Sequence, residues 1–410
     1  MCRCADVVAL AFACSLLQAG AAVVDSGTTF AADAIRPYVE SGELPGAISV
    51  FQQDGKRETC VMGYADPRTR RPLELDTPFR QCSQTKGFCG VTVAKLIEEG
   101  KLGLDDPVSK YLPEFADLRV YTNPDEKALT NGLVKAQKVL TLRMCLNHTG
   151  GFRFELKNYW QMGGWSRKMP LRSVAAMAAA APLLFEPGTR GKYSNTGIDV
   201  AAAVVETVVG KDWATYLQEA VLDPLEMRDT TFWPSDETVS RKIELCICEK
   251  GKKARWLGTE GSMQPPFNGS GVFASAGAGL WTTARDQLKF YSMLMNLGVG
   301  ENGVRILKEE TVRTLLAVSS RPPALGLDGY SLGLFAPKAD KDGMDAWFGH
   351  GGAYQTNCMI NWRRKELKLW VVQLGGSPRP WEPAIETAAE RFFNRHVDDS
   401  GVKAYTGRTR

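Results

Sequence analysis

The chain has 410 residues, enough for two or three ordinary domains or for one large α/β domain. Hydrophobic residues make up 44% and charged residues 23%, with Gly 40 and Pro 21, which excludes a chain-long disordered, collagenous or low-complexity protein. Lys+Arg 50 against Asp+Glu 46 leaves +4 with no run of five basic residues, so neither nucleic acid nor a polybasic membrane contact is supported. Only three histidines (His148, His350, His396) and no HExxH or paired CxxC argue against a zinc hydrolase, and no metal or organic cofactor is expected.

The first residues, MCRCADVVALAFACSLLQAGAAVVDSG, place one Arg before an apolar run over 7–17 and then small residues at 19–22. That is the shape of a secretory signal peptide over residues 1–22, and it predicts export to a periplasmic or extracellular space. The run is short for a membrane span, so no integral span is expected once it is removed. A buried N-terminal helix and a lipid-acceptor Cys14 are the alternatives. Signal removal would leave seven of the ten cysteines, an odd number without framework spacing. Most are read as small buried apolar residues, a usage that sits awkwardly with an oxidising compartment.

Residues 30–40 (FAADAIRPYVE) read as a helix. Residues 46–53, the turn Asp54-Gly55 and residues 58–64 read as a β-hairpin. Residues 90–99 form an apolar-periodic helix stopped by Gly100, and 175–181, 198–209, 211–220 and 283–297 also read as helices. Trp233 and Trp256 are assigned to the core, residues 250–255 to a solvated loop, and Cys246 and Cys248 to strand packing rather than a metal clip. Residues 357–362 and 367–374 are strands around the charged turn 363–366, and 381–395 is an amphipathic helix. Strands at both ends with helices between predict one α/β domain of the α+β type over 30–397. An antiparallel sheet is assembled from both termini and flanked by helices. A helical lobe over roughly 90–280 is inserted in it, and 398–410 is a tail.

Three short motifs carry the chemistry. In Ser83-Gln84-Thr85-Lys86, a helix starting near Ser83 puts the serine and lysine on one face. The helix N-terminus favours a developing alkoxide, and a lysine buried beside it can lose its proton and activate the serine without histidine. An N-cap serine with a surface lysine is the bland alternative. Tyr193-Ser194-Asn195 follows a Pro-Gly turn at 187–188 that delivers it onto a loop. A tyrosine near positive groups can act as a general base, and an asparagine can orient the lysine or a substrate amide. A buried tyrosine with a satisfied hydroxyl is the alternative. His350-Gly351-Gly352 precedes a strand, where glycines let a substrate lie close to the edge, and the backbone N–H of Ala353 with that of Ser83 could form an oxyanion hole. A lone histidine in a turn is more often structural.

Taken in order and with their flanks, these motifs resemble the serine β-lactamase-related family, which takes in class C β-lactamases, penicillin-binding DD-peptidases and related esterases. FRQCSQTKGFCGVTVAKLIEEGKLGLDDPVSKYLPEF resembles its nucleophile helix, LTLRMCLNHTGGF its next helix start, FEPGTRGKYSNTG its Tyr-x-Asn loop, GAGLWTTARDQLKFYSMLMNLG a later helix and FGHGGAYQTN its third motif. The resemblance runs from about residue 30 to the last helix. It implies a β-lactamase/transpeptidase-like fold and a Ser83 acyl-enzyme, with Lys86 and Tyr193 sharing the base and acid roles and Asn195 positioning Lys86 or substrate. His350 departs from the Lys-Thr-Gly of true β-lactamases, whose lysine meets the substrate carboxylate. Histidine is a weaker cation near neutral pH, so cleavage of a small-molecule ester or amide is favoured over β-lactam hydrolysis.

The rivals are a DD-peptidase, D-aminopeptidase or β-lactamase acting on wall peptides or antibiotics, a silent binding protein of the same fold, and acyl transfer to an alcohol. His148 is expected to be structural. Tyr159, Trp160 and Trp165 either roof the pocket or pack under a loop, and Tyr354, after the third motif, is a lesser candidate to face the pocket. Cys82 is a poor second to Ser83 as nucleophile.

Overall fold

The computed structural model describes residues 23–24, 29–123, 132–154, 169–249, 251–258, 273–317, 319–320, 329–336, 346–376 and 379–393. Tyr159, Trp160 and Trp165 lie outside them, as do the N-terminal segment and the tail.

Helix α1 (Phe30–Ser41) leads into the hairpin of β1 (Gly46–Gln53) and β2 (Lys56–Asp66), with Gln53 opposite Lys56. Asp54 (φ 47) and Gly55 (φ 80) are both left-handed, the backbone that a two-residue hairpin turn matching strand twist needs. Near the other end of the chain lie β3 (Phe348–Gly351), β4 (Asn357–Asn361) and β5 (Glu366–Val371). β5 pairs with β1, Leu369 opposite Val50, and β4 and β3 follow outward. Val23–Val24 and Arg71–Pro72 each pair with β2, making seven strands among the described residues, all antiparallel.

Side-chain alternation assigns the two faces of this sheet. Ala47, Phe51, Met62 and Trp370 point to α1 and to the last helix, α7 (Trp381–Phe392). Ile48, Val50, Val61 and Leu369 join the larger core beneath the central helices. Because both faces are covered, β5 is buried at every position, and even Lys368 is enclosed, its ammonium paired with Glu386 of α7.

The central helices are α2 (Thr85–Glu98), α3 (Leu142–Leu146), α4 (Leu171–Ala180), α5 (Asn195–Val209) and α6 (Ala284–Met295). Eleven of the fourteen residues of α2 are buried, the mark of a helix enclosed on all sides. It packs on α5, and Phe88 stacks on Phe290 of α6 with centroids 3.7 Å apart. A Cβ at Gly90 would lie 2.1 Å from the Leu332 carbonyl oxygen. In an open helix Gly→Ala gains about 0.5–1 kcal/mol; here we expect Gly90→Ala to destabilise by roughly 1–3 kcal/mol, as overpacking does, read as a lower midpoint in urea at unchanged slope.

Most expected elements form. The 211–220 helix is shorter, ending at Leu217 and passing into a π-turn over Gln218–Leu222. The seven cysteines among the described residues are all buried, Cys246 in a short strand as expected. Trp233 packs against the core, but Trp256 does not belong to it. Trp256 is 37% exposed at the margin of a small three-stranded sheet. There the Arg68 guanidinium lies 3.9 Å from its ring, and its indole N–H donates to Glu244. A cation over one face and an acceptor for the N–H satisfy an indole without burial. No helix among the described residues is long and apolar enough to cross a membrane.

Candidate active site

The chain enters the site along the short strand Phe79–Arg80, which pairs with Trp281–Thr282. Cys82 then takes a left-handed backbone (φ 50) and opens a single 3₁₀ turn, Cys82–Gln84, that becomes α2 at Thr85. A non-glycine residue in this region costs about 1–2 kcal/mol and is held by its surroundings. Thr85 Oγ1 donates to the Cys82 carbonyl at 2.7 Å and accepts from the Leu280 N–H at 3.2 Å. The turn leaves Ser83 half-buried, while Lys86, one helical turn on, is completely buried.

Lys86 Nζ is 3.2 Å from Ser83 Oγ and donates to Asn195 Oδ1 at 2.7 Å and to the Gly277 carbonyl at 2.6 Å. Two of these partners can only accept; the serine hydroxyl can do either. The site therefore satisfies an ammonium, which donates three times, and equally a free amine, which donates twice and offers its lone pair to Ser83. Ser194 caps α5 by accepting from the Gly197 N–H, so Asn195 sits in the first helical turn rather than on a loop.

The Tyr193 hydroxyl lies beside Ser83, and its ring centroid is 4.6 Å from Lys86 Nζ. Burial pushes this phenol above its ordinary range, and the neighbouring Ser83 hydroxyl only partly offsets that. Tyr193 is held from behind by two histidines. The Ser194 N–H donates to His148 Nδ1 at 3.3 Å, and the His148 ring lies 4.5 Å from that of Tyr193, the structural role expected of it. His350, fully buried in the edge strand β3, places Nδ1 2.6 Å from the Gly351 carbonyl, which can only accept. Nδ1 therefore carries the hydrogen, and Nε2 accepts from Tyr330 (3.1 Å) and faces the Tyr193 hydroxyl at 3.3 Å. Burial first, then the nearby Lys86 charge, hold His350 well below the usual histidine range, so it is neutral at physiological pH.

The remaining expected residues divide. A Cβ on Gly352 would come 2.6 Å from the Gln81 carbonyl, so only glycine lets β3 close on the nucleophile turn; Gly351 has ordinary room. The exposed Ala353 turns its backbone N–H to the Cys82 thiol. Tyr354 does not face the pocket. It is 7% exposed and packed on Cys82 and Leu245, with Arg80 as its hydrogen-bond partner, because the chain turns inward after Ala353.

Two residues escaped sequence reasoning. Gly277 supplies the carbonyl on Lys86, and its own Cα approaches Asn195 so closely that a Cβ would lie 2.8 Å from that side chain. Asp199 accepts from the Gly277 N–H at 3.1 Å and from the Ser275 hydroxyl at 3.2 Å. The signal was an acid inside the apolar run IDVAAAVV, four residues after Asn195 and so on the same face. No group of three or more metal-ligating side chains occurs among the described residues.

This fold, with a serine, a lysine and a tyrosine meeting at the junction of sheet and helices, defines a class of protein. The chain matches the family described as Beta-lactamase over residues 31–387, and it belongs to that family. It is 30% identical over 287 residues to an uncharacterised protein of Mycobacterium tuberculosis, covering 68% of this chain and 69% of that one. It is 28% identical over 276 residues to esterase EstB of Burkholderia gladioli, covering 60% and 64%. Among solved structures, EstCE1, described as a hydrolase with promiscuous acyltransferase activity, superposes with a TM-score of 0.70 at 21% identity, over 88% of this chain and 97% of that one.

Proposed function

We propose that the chain is a serine hydrolase that cleaves an uncharged ester through an acyl-enzyme on Ser83. The observation that carries this reading is the convergence of the Ser83 hydroxyl, the Lys86 amine and the Tyr193 phenol on one half-open spot. The free amine of Lys86 takes the Ser83 proton as Oγ bonds to the ester carbonyl carbon. The carbonyl oxygen becomes an oxyanion facing the N–H groups of Ser83 and Ala353; the Cys82 thiol beside Ala353 is a weak acceptor that an oxyanion displaces. Tyr193, a phenol kept protonated by burial, gives its proton to the leaving oxygen as the C–O bond breaks, and the phenolate recovers a proton from the Lys86 ammonium. Water then attacks the acyl group, its proton passing to the same amine, and Ser83 leaves protonated.

His350 supports an uncharged substrate. A neutral imidazole with both nitrogens engaged offers no fixed cation to a β-lactam or peptide carboxylate. EstB and EstCE1, an esterase and a hydrolase by name, are consistent with ester cleavage. The test pairs p-nitrophenyl butyrate with nitrocefin. Butyrate turnover is expected to exceed nitrocefin turnover in kcat/KM by at least ~10–100-fold, the worth of one missing charge-assisted hydrogen bond. Intact mass should show an acyl or phosphonyl adduct on Ser83. Efficient nitrocefin hydrolysis would move the reading to β-lactams, and acyl-ester formation with added alcohol would move it to transfer.

A further inference from the structure

The buried carboxylate of Asp199 has no place in the steps above, yet a single residue, Gly277, stands between it and Lys86. Its Oδ1 accepts from the Gly277 N–H (3.1 Å) and the Ser275 hydroxyl (3.2 Å). The carbonyl of the same Gly277 takes a hydrogen from Lys86 Nζ at 2.6 Å. Asn195, a second acceptor for Nζ, sits four residues earlier on the same helix. Asp199 thus clamps both ends of a single arrangement: the turn that carries one lysine acceptor, and the helix face that carries the other. We propose that Asp199 is a positioning residue for Lys86, which fixes the Gly277 carbonyl on Nζ and, by its own charge, decides whether amine or ammonium is the favoured form. The proposal rests on the hydrolase reading, in which the amine form takes the Ser83 proton.

The titratable groups that face Asp199 are Lys86 and Cys89 on α2, with Cys145 of α3 next to Cys89. The thiols are driven up by burial and stay neutral, so the charge relation is between Asp199 and Lys86. Burial first raises the Asp199 carboxyl to about 7, against the pull of the Gly277 N–H, Lys86 and Ser275. Loss of a proton from Asp199 and gain of one by Lys86 favour each other. The pair can therefore hold one proton in either of two places, as a neutral acid with a neutral amine or as an ion pair on either side of Gly277. The first arrangement is ready for Ser83; the second is its resting store.

Asp199→Asn keeps an oxygen toward the Gly277 N–H and removes the charge. The measurement is the rate at which an alkyl fluorophosphonate labels Ser83 in the full chain, followed by intact mass from pH 5 to 9, with the thermal midpoint taken alongside. Labelling of Ser83 should persist in the variant, and the pH of half-maximal rate should fall by about one unit or more, because the ammonium has lost its anion. Asp199→Ala, which releases the turn as well, should slow labelling roughly tenfold or more at every pH, as a misplaced base does. Should the Asn variant fail to fold, Ser275→Ala removes one donor that favours the carboxylate anion and should move the profile the same way by less. Superimposable profiles for the Asn variant and wild type, or for Ser275→Ala where that is the variant used, overturn the proposal alone. A wild-type chain that is never labelled removes the hydrolase reading and this proposal with it.

Discussion

Ser83→Ala is expected to lower ester kcat by roughly 10⁵–10⁶-fold and to abolish the phosphonyl adduct, while the fold survives. Ser83 is half-exposed and Lys86 keeps Asn195 and Gly277 as acceptors, so the substitution leaves no orphaned buried group. Its effect on stability should stay within about 1 kcal/mol, checked by an unchanged denaturant midpoint. What disappears is the only reaction coordinate on which the amine's lone pair does any chemistry. The adjacent Cys82 cannot stand in. Its thiol is buried, and burial holds it protonated against the pull of Arg80 and the Ala353 and Tyr354 backbone. Ester turnover retained within tenfold in purified Ser83→Ala, with the variant folded, would end the acyl-enzyme reading.

The architecture was visible in the sequence because its signals are local. Asp54-Gly55 between two apolar runs specifies the hairpin, and Gly100 after a periodic stretch ends α2. The pairing of β1 with β5 is not local at all. The sequence suggested only that hairpins at both ends of the chain join one sheet; which strands meet is fixed by the structure. The site divides in the same way. Ser83 and Lys86 share a face by helix geometry alone, whereas their meeting with Tyr193 and His350 came from order and resemblance, not from spacing. Gly277 was out of reach because it acts through a backbone carbonyl, which no residue identity announces. Trp256 was misplaced, and Tyr354 stayed undecided, because an aromatic residue with a polar handle is equally at home at a margin or in a core. Only the positions of Arg68, Glu244 and Arg80 decide between them.

Tyr193→Phe separates an acid from a base. If Tyr193 gives its proton to the leaving oxygen, the loss depends on how badly that oxygen needs one. An alkyl ester expels a strongly basic alkoxide, so its kcat should fall by ~10²–10⁴-fold, the usual worth of a positioned acid. A p-nitrophenyl ester expels a stabilised phenolate and should lose less than about tenfold, since the Brønsted dependence on the acid nearly vanishes there. The pH argument agrees in sign. Burial raises the phenol above its ordinary value, so the acid form is the populated one from pH 5 to 9, and no alkaline decline in that range belongs to Tyr193. The substitution is also mild for the fold, because Tyr330 still donates to His350 Nε2 and His148 still holds the 192–194 backbone. Equal losses on both esters would instead make Tyr193 the base that takes the Ser83 proton and leave Lys86 as its electrostatic support. No loss on either would reduce Tyr193 to a wall of the pocket, since its place beside Ser83 would then have no consequence for the reaction.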